Sequence, residues 1–137
     1  MQRNIKFMRK LFFLISIVFV FSGCSKTEGE GGLATIYGKV NVLDYNSDFT
    51  ILKDDYYAAD EDVFIVYGND SIYSDKFKSD YTGTFRFQNL RKGTYTVYAL
   101  SKDSTGTSES GYIPIKEKIE ITERKEIYET EDLVILR

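Results

Sequence analysis

The chain has no histidine, no tryptophan, one cysteine and one proline in 137 residues. Without histidine, and with a single thiol, the Ser-His and Cys-His nucleophilic schemes lack their base, and the usual zinc sites lack their nitrogen and sulfur ligands. One cysteine cannot close a disulfide within the chain, so Cys24 is free, bonded to another chain or modified. The missing tryptophan removes the strongest platform for stacking against a sugar. No apolar run reaches the roughly 20 residues of a membrane-spanning helix, and no stretch carries the 3.6-residue period of an amphipathic one.

What is present begins with a basic and then apolar leader. Met1 to Lys10 holds Arg3, Lys6, Arg9 and Lys10 with no acidic residue, and Leu11 to Phe21 is apolar but for Ser16. That length falls within the about 7 to 15 residues of a signal-peptide core. The run ends in Ser22, Gly23 and Cys24, which resembles the lipobox of bacterial lipoproteins, although Phe21 stands where leucine is usual. The resemblance implies cleavage before Cys24, acylation of its sulfur, and a place in the cell envelope, at the outer membrane. Several acyl chains at about 0.8 kcal/mol per buried methylene make a stable anchor. Lys26, Glu28 and Glu30 resemble in part the charged export tag of Bacteroidota lipoproteins.

Loss of residues 1–23 removes four of the 18 Lys and Arg and none of the 21 Asp and Glu, which takes the net charge from -3 to -7. An acidic chain with no basic stripe argues against nucleic acid as a partner. The remainder suffices for one domain with its own core. The expected division is a signal peptide over 1–23, a lipidated cysteine and flexible tether over 24–33, and a single domain over 34–137.

Within that domain the pattern is β throughout. Ala34 to Leu43 alternates through Ile36, Val40 and Val42, with Gly38 as a point of close approach. A long acidic and aromatic connection, Asp44 to Asp62, follows, part of it suited to an edge strand. Val63 to Tyr67 is apolar on both faces and predicts a covered strand, and Ser71 to Lys78 predicts a weaker one. Thr82 to Leu100 is the most regular stretch: Phe85 and Phe87 share one face, and Tyr95, Val97 and Ala99 another. It predicts a β-hairpin turning at Arg91, Lys92 and Gly93, with glycine supplying positive φ. Ile113, Ile115, Ile119 and Ile121 share a parity broken by Glu117, which predicts an irregular register, and Glu126 to Arg137 closes as a last strand. About seven strands in about 105 residues predict a two-sheet sandwich.

Gly83, Phe85, Phe87, Leu90, Gly93, Tyr95 and Val97 spell G-x-F-x-F-x-x-L-x-x-G-x-Y-x-V. This resembles the signature of carboxypeptidase regulatory-like domains, the transthyretin-like or prealbumin-like sandwiches that include the B repeats of collagen adhesins. The resemblance covers most of Ala34 to Arg137 and implies a seven-stranded Greek-key sandwich. Leu90, Gly93 and Tyr95 also resemble a tyrosine corner, in which the phenol bonds back to nearby backbone. The family's urate-pathway hydrolases use histidines that this chain lacks, and its zinc carboxypeptidases carry their metal on a separate domain. Some adhesin repeats cross-link a first-strand lysine with help from a glutamate. Lys39 stands at the lysine position, but Ala99 stands at the glutamate's, so no isopeptide bond is expected.

Two candidate sites fall in the long connection. Asp54, Asp55, Asp60 and Asp62, with Glu61, could supply oxygen ligands to Ca²⁺, but their spacing matches no EF-hand and a solvated acidic loop explains them better. Tyr45, Phe49, Tyr56 and Tyr57 could form a ligand surface, since an aromatic phenol offers rigid apolar area with a polar tip. The expectation is therefore a lipid-anchored envelope protein with a non-catalytic binding or assembly module and no cofactor. Its partners would be the membrane and an envelope protein or a glycan. The alternatives are capture of glycan or peptide by the Asp44 to Asp62 loop and, third, a carboxylate-based hydrolase. Cys24→Ser is expected to release the protein from the membrane fraction or leave it unprocessed. A fully processed serine variant still in the membrane would overturn the lipid anchor.

Overall fold

The computed structural model describes residues 27–137, so the leader and Cys24 lie outside the described residues. Nine strands and no helix occur among them: β1 (Glu30–Tyr45), β2 (Leu52–Tyr57), β3 (Asp62–Tyr67), β4 (Asp75–Lys78), β5 (Thr84–Leu90), β6 (Gly93–Lys102), β7 (Tyr112–Ile121), β8 (Ile127–Glu129) and β9 (Leu133–Leu136). They form two sheets. One is built around β1, which pairs antiparallel with β5 along its first half and β2 along its second, and parallel with β8 and β9. The other runs β4-β3-β6-β7, antiparallel throughout.

Alternating side chains of both sheets meet in one core. Ile36, Val40 and Val42 of β1 and Phe85 and Phe87 of β5 face Val63 and Ile65 of β3, Tyr95, Val97 and Ala99 of β6, and Ile119 and Ile121 of β7. Each strand hides one parity because successive side chains point to opposite faces. Burying each large apolar side chain contributes about 1.5–3 kcal/mol, which offsets the entropy of ordering the strands. Gly38 is required by this packing, since a Cβ there would fall 1.8 Å from Thr130 Oγ1 and 2.9 Å from Phe85 Cζ.

Four expectations are corrected. Thr82 to Leu100 is not a hairpin: β5 pairs with β1 in one sheet, and β6 with β3 and β7 in the other, so Arg91 and Lys92 carry the chain across the sandwich. The parities hold, but the two apolar rows face each other through the core, an arrangement with the same period of two as a hairpin. The crossing uses positive φ at Asn89 (59°) and Gly93 (146°).

The tether is the second correction. β1 begins at Glu30, inside the stretch expected to be flexible, because its glycines permit contact. A Cβ on Gly32 would lie 1.9 Å from the Leu90 carbonyl oxygen, and one on Gly31 would lie 3.2 Å from Arg91 Nη2. Third, β7 keeps an unbroken register against β6 from Tyr112 to Ile121. Glu117 occupies the inward row without disturbing it, since its carboxylate accepts from the Tyr128 hydroxyl (3.3 Å) and the Glu131 N–H (3.0 Å). Burial nonetheless pushes the Glu117 carboxyl above its usual range. Fourth, the strands number nine rather than seven, because the long connection contributes β2 and the C-terminal segment divides into β8 and β9 at Thr130 to Asp132.

One turn is used twice. Asp80-Tyr81-Thr82-Gly83-Thr84 and Asp103-Ser104-Thr105-Gly106-Thr107 share the pattern D-x-T-G-T. In each, the aspartate accepts from the N–H and hydroxyl of the first threonine, at 2.8 and 2.6 Å, and the two threonine hydroxyls lie 2.9 Å apart. These bonds, led by the threonine hydroxyl, hold both carboxyls below the ordinary aspartate range.

The β5–β6 crossing is locked by Tyr95. Its ring is buried, its hydroxyl donates to the Arg91 carbonyl at 2.8 Å, and it accepts the Gly29 N–H at 3.0 Å. Tyr95→Phe leaves that N–H without its partner, an expected loss of about 1–3 kcal/mol. At this size each kcal/mol lowers Tm by about 4–8 °C. Calorimetry of the variant checks this, and an unchanged Tm would remove the hydroxyl from the account.

Candidate ligand groove

The outer face of the β4-β3-β6-β7 sheet carries apolar and aromatic side chains where polar ones are the rule for a solvated sheet face. Register sets Lys76, Phe64, Tyr98 and Lys116 side by side across its four strands. The Phe64 and Tyr98 rings stack with centroids 5.0 Å apart and planes at 18°. Tyr73, from the β3–β4 connection, tilts onto Phe64, with ring centroids 5.0 Å apart and planes at 59°. The Lys76 ammonium lies 6.0 Å from the Phe64 ring centre, at the outer limit of a cation–π contact.

Beside this stack lies an open groove of about 460 Å³. Val66, Thr96, Tyr98, Leu100, Pro114 and Lys116 form its floor, and the chain from Gly68 to Tyr73 forms its wall. The wall is held by the Gly68 N–H on the Thr94 carbonyl (2.8 Å) and the Ser74 N–H on the Ile65 carbonyl (2.8 Å). Burial, with a smaller push from Tyr73, raises the Tyr98 hydroxyl above its ordinary range. Apolar floor, aromatic shelf and the polar groups of Asn69, Asp70, Ser71, Thr96 and Lys116 together suit a ligand with one apolar face and a hydroxylated or charged edge.

The residues proposed from sequence do not converge. Tyr45 and Phe49 pair at the tip of the β1–β2 hairpin, ring centroids 6.3 Å apart. Tyr56 and Tyr57 lie at the other end of β2, opposite Val42 and Asn41, and as neighbours on a strand they point to opposite faces. Both are nearly half exposed, at 44% and 46%. Tyr57 donates its hydroxyl to Asp132 at 2.8 Å and carries the Lys39 ammonium 4.6 Å over its ring.

The Ca²⁺ candidates are dispersed too. Asp54 and Asp55 sit on exposed β2, where Asp55 accepts from Asn41 Nδ2 at 2.8 Å. Asp60 stands in a turn at φ 61°, and Asp62 is matched to Lys76 (3.2 Å) and Lys78 (3.4 Å). Burial works against the Asp62 charge, yet the two lysines hold its carboxyl below the usual range. Among the described residues no three His, Cys, Asp or Glu side chains gather as a metal site. The structural residues Gly83, Phe85, Phe87, Leu90, Gly93 and Tyr95 all belong to β5, β6 or the turns beside them.

Sequence reasoning missed Phe64, Tyr73 and Tyr98. The signal was in Val63 to Tyr67, whose two apolar faces predicted a covered strand; the structure buries Val63 and Ile65 and leaves Phe64 and Val66 half-exposed. An outward apolar row on β3 opposite an outward aromatic on β6 marks such a face.

No family model and no curated protein matches the chain. Among solved structures it is similar to a candidate carbohydrate-binding protein of Pseudomonas aeruginosa, at 12% identity and a TM-score of 0.48, over 82% of this chain and 93% of that one.

Proposed function

We propose that this chain is a non-catalytic binding module of a bacterial cell envelope, lipid-anchored at Cys24, of the carboxypeptidase regulatory-like type. Its ligand seat is the groove on the outer face of the β4-β3-β6-β7 sheet, and the ligand is a glycan. The observation that carries this reading is the aromatic shelf of Tyr98, Phe64 and Tyr73 beside an open, polar-rimmed groove. A pyranose ring has an apolar face of axial hydrogens and an edge of hydroxyls. The first matches the Tyr98 and Leu100 floor, and the second matches the Asp70, Ser71, Thr96 and Lys116 donors and acceptors. An open groove leaves water at the ligand, which suits binding over chemistry, since hydrolysis relies on charged groups in an enclosed site.

A second reading, an assembly subunit for another envelope protein, is favoured by β2. That strand is exposed at every residue, with Leu52, Tyr56 and Tyr57, and Ile51 just before it, all more than two-fifths open. The two readings part on mutation. Thermal stabilisation of the detergent-solubilised full-length protein is measured against a panel of soluble polysaccharides. We expect saturable stabilisation by at least one, weakened about tenfold or more by Tyr98→Ala and unchanged by Tyr56→Ala. Stacking on one aromatic is worth roughly 0.5–1.5 kcal/mol before the lost area is counted. No stabilisation by any glycan, together with a stoichiometric protein crosslink lost in Tyr56→Ala, would move the function to β2.

A further inference from the structure

The path of the chain decides which end of the sandwich meets the membrane. This step rests on the proposed lipidation of Cys24. The described chain is held from its first residues: the Thr27 carbonyl accepts from Arg91 Nη1 at 3.1 Å, the Gly29 N–H is held by Tyr95 at 3.0 Å, and the Gly29 carbonyl accepts the Arg91 N–H at 2.9 Å. Three residue steps separate Cys24 from Thr27, and an extended chain advances at most about 3.6 Å per residue. The end bearing the β5–β6 crossing and the β7–β8 loop is therefore held within about 11 Å of the acylated cysteine, whatever path those residues take.

That end carries a cavity of about 370 Å³ lined by Gly31, Gly32, Leu90, Arg91, Lys92 and Arg124. Gly31 lets the Arg91 guanidinium lie close against β1, where a Cβ would come within 3.2 Å of Nη2. The ion pairs found among the described residues engage Lys76, Lys78 and Arg137, so Arg91, Lys92 and Arg124 converge without a carboxylate partner within 4 Å. The acids nearby make no ion pair with these cations, although the backbone bonds that hold the Glu126 carboxyl below the usual range are joined by the Lys92 charge. Glu126 accepts the Thr122 and Glu123 N–H groups at 2.8 and 2.9 Å, and Glu28 lies against Gly93 with its oxygen 3.5 Å from the Thr94 N–H. Glu30 and Glu123 are exposed. Three cations without an ion-pair partner thus gather at one end of a chain whose net charge is negative; arginine can offer paired donors to phosphate oxygens, and lysine a point charge.

We infer that Arg91, Lys92 and Arg124 seat the phosphate of anionic lipid headgroups in the membrane that holds the anchor. The seat stands the domain upright, with the 16-residue β1 running away from the bilayer for roughly 50 Å at about 3.3 Å per residue. The Tyr45–Phe49 hairpin lies at the far tip.

The test uses full-length lipidated protein in phosphatidylcholine vesicles with or without phosphatidylglycerol, footprinted with an amine-reactive reagent and read by mass spectrometry. Lys92 should label about threefold or more slowly in the anionic vesicles, while Lys53 on β2 labels equally in both. Salt at about 0.5 M, where the Debye length falls to a few Å, should erase the difference, and Arg124→Glu, a change in an exposed loop, should do the same. Equal labelling of Lys92 in the two vesicles, protection that survives Arg124→Glu, or protection by inorganic phosphate in detergent without any by anionic vesicles would overturn the seat. Acylation is read separately from the intact mass of the same preparation. An unmodified Cys24 would overturn the anchor and the orientation together, whereas an acylated protein with equally labelled Lys92 overturns the seat alone.

Discussion

The Tyr95 hydroxyl is the contact on which the arrangement turns. A phenol in an apolar interior must find partners, because leaving a buried donor or acceptor unmade costs more than the bond itself returns. Here the partners are the Arg91 carbonyl and the Gly29 N–H, drawn from the crossing between sheets and from the segment before β1. The edge of Tyr95 also meets Tyr67 at 5.7 Å and 84°. One side chain thus fixes where the chain leaves the first sheet, where it enters the second, and where β1 begins. Glycines at 31, 32 and 93 follow from the same constraint, since a Cβ at any of them would press on Arg91, Leu90 or Glu28.

The burial pattern was legible and the pairing was not. Phe85, Phe87, Tyr95, Val97 and Ala99 are all in the core, as their alternation predicts. Alternation has the same period whether two consecutive strands share a sheet or face each other across the interior, so it could not separate a hairpin from a crossing. The glycine-rich segment before β1 misled for a related reason. Composition cannot distinguish glycine that frees a chain from glycine that lets backbones touch, and only the Leu90 carbonyl lying against Gly32 decides it. At Glu117 a charge in an apolar row signalled a break, yet Tyr128 and Glu131 supply donors to it from a distant part of the chain.

The candidate site was less legible because it depends on covering rather than on period. Strand β3 is apolar on both faces, and sequence alone assigns both to a core. The connection from Gly68 to Ser74 covers only part of the outer face, so Phe64 and Val66 stay half-exposed and Tyr98 gains a groove beside it. The connection from Asp44 to Asp62 failed in the opposite sense: its aromatics are plentiful, but a two-stranded extension divides them between two faces and two ends. Its acidic residues fit an edge strand better than a metal site. Lys53, Asp54 and Asp55 place charge on edge strand β2, and on edge strand β7 Lys116 adds charge while Pro114 removes a backbone donor, which discourages pairing with another chain.

Topology ties the groove to the end of the sandwich where the described chain enters. β3 and β6 bring Tyr67 and Tyr95 together at the end where the chain enters, and the groove's wall begins at Gly68, bonded to Thr94. The groove therefore starts near that end, and its floor runs along β6 from Thr96 through Tyr98 to Leu100, away from it. An open groove buries one side of its ligand and gains little from a small solute, for which the entropy of capture is lost against few contacts. It gains more from a chain that continues past the groove and repeats the stacking contact. Under the proposed reading, length of ligand, more than the fit of any single ring, is then what the aromatic shelf selects.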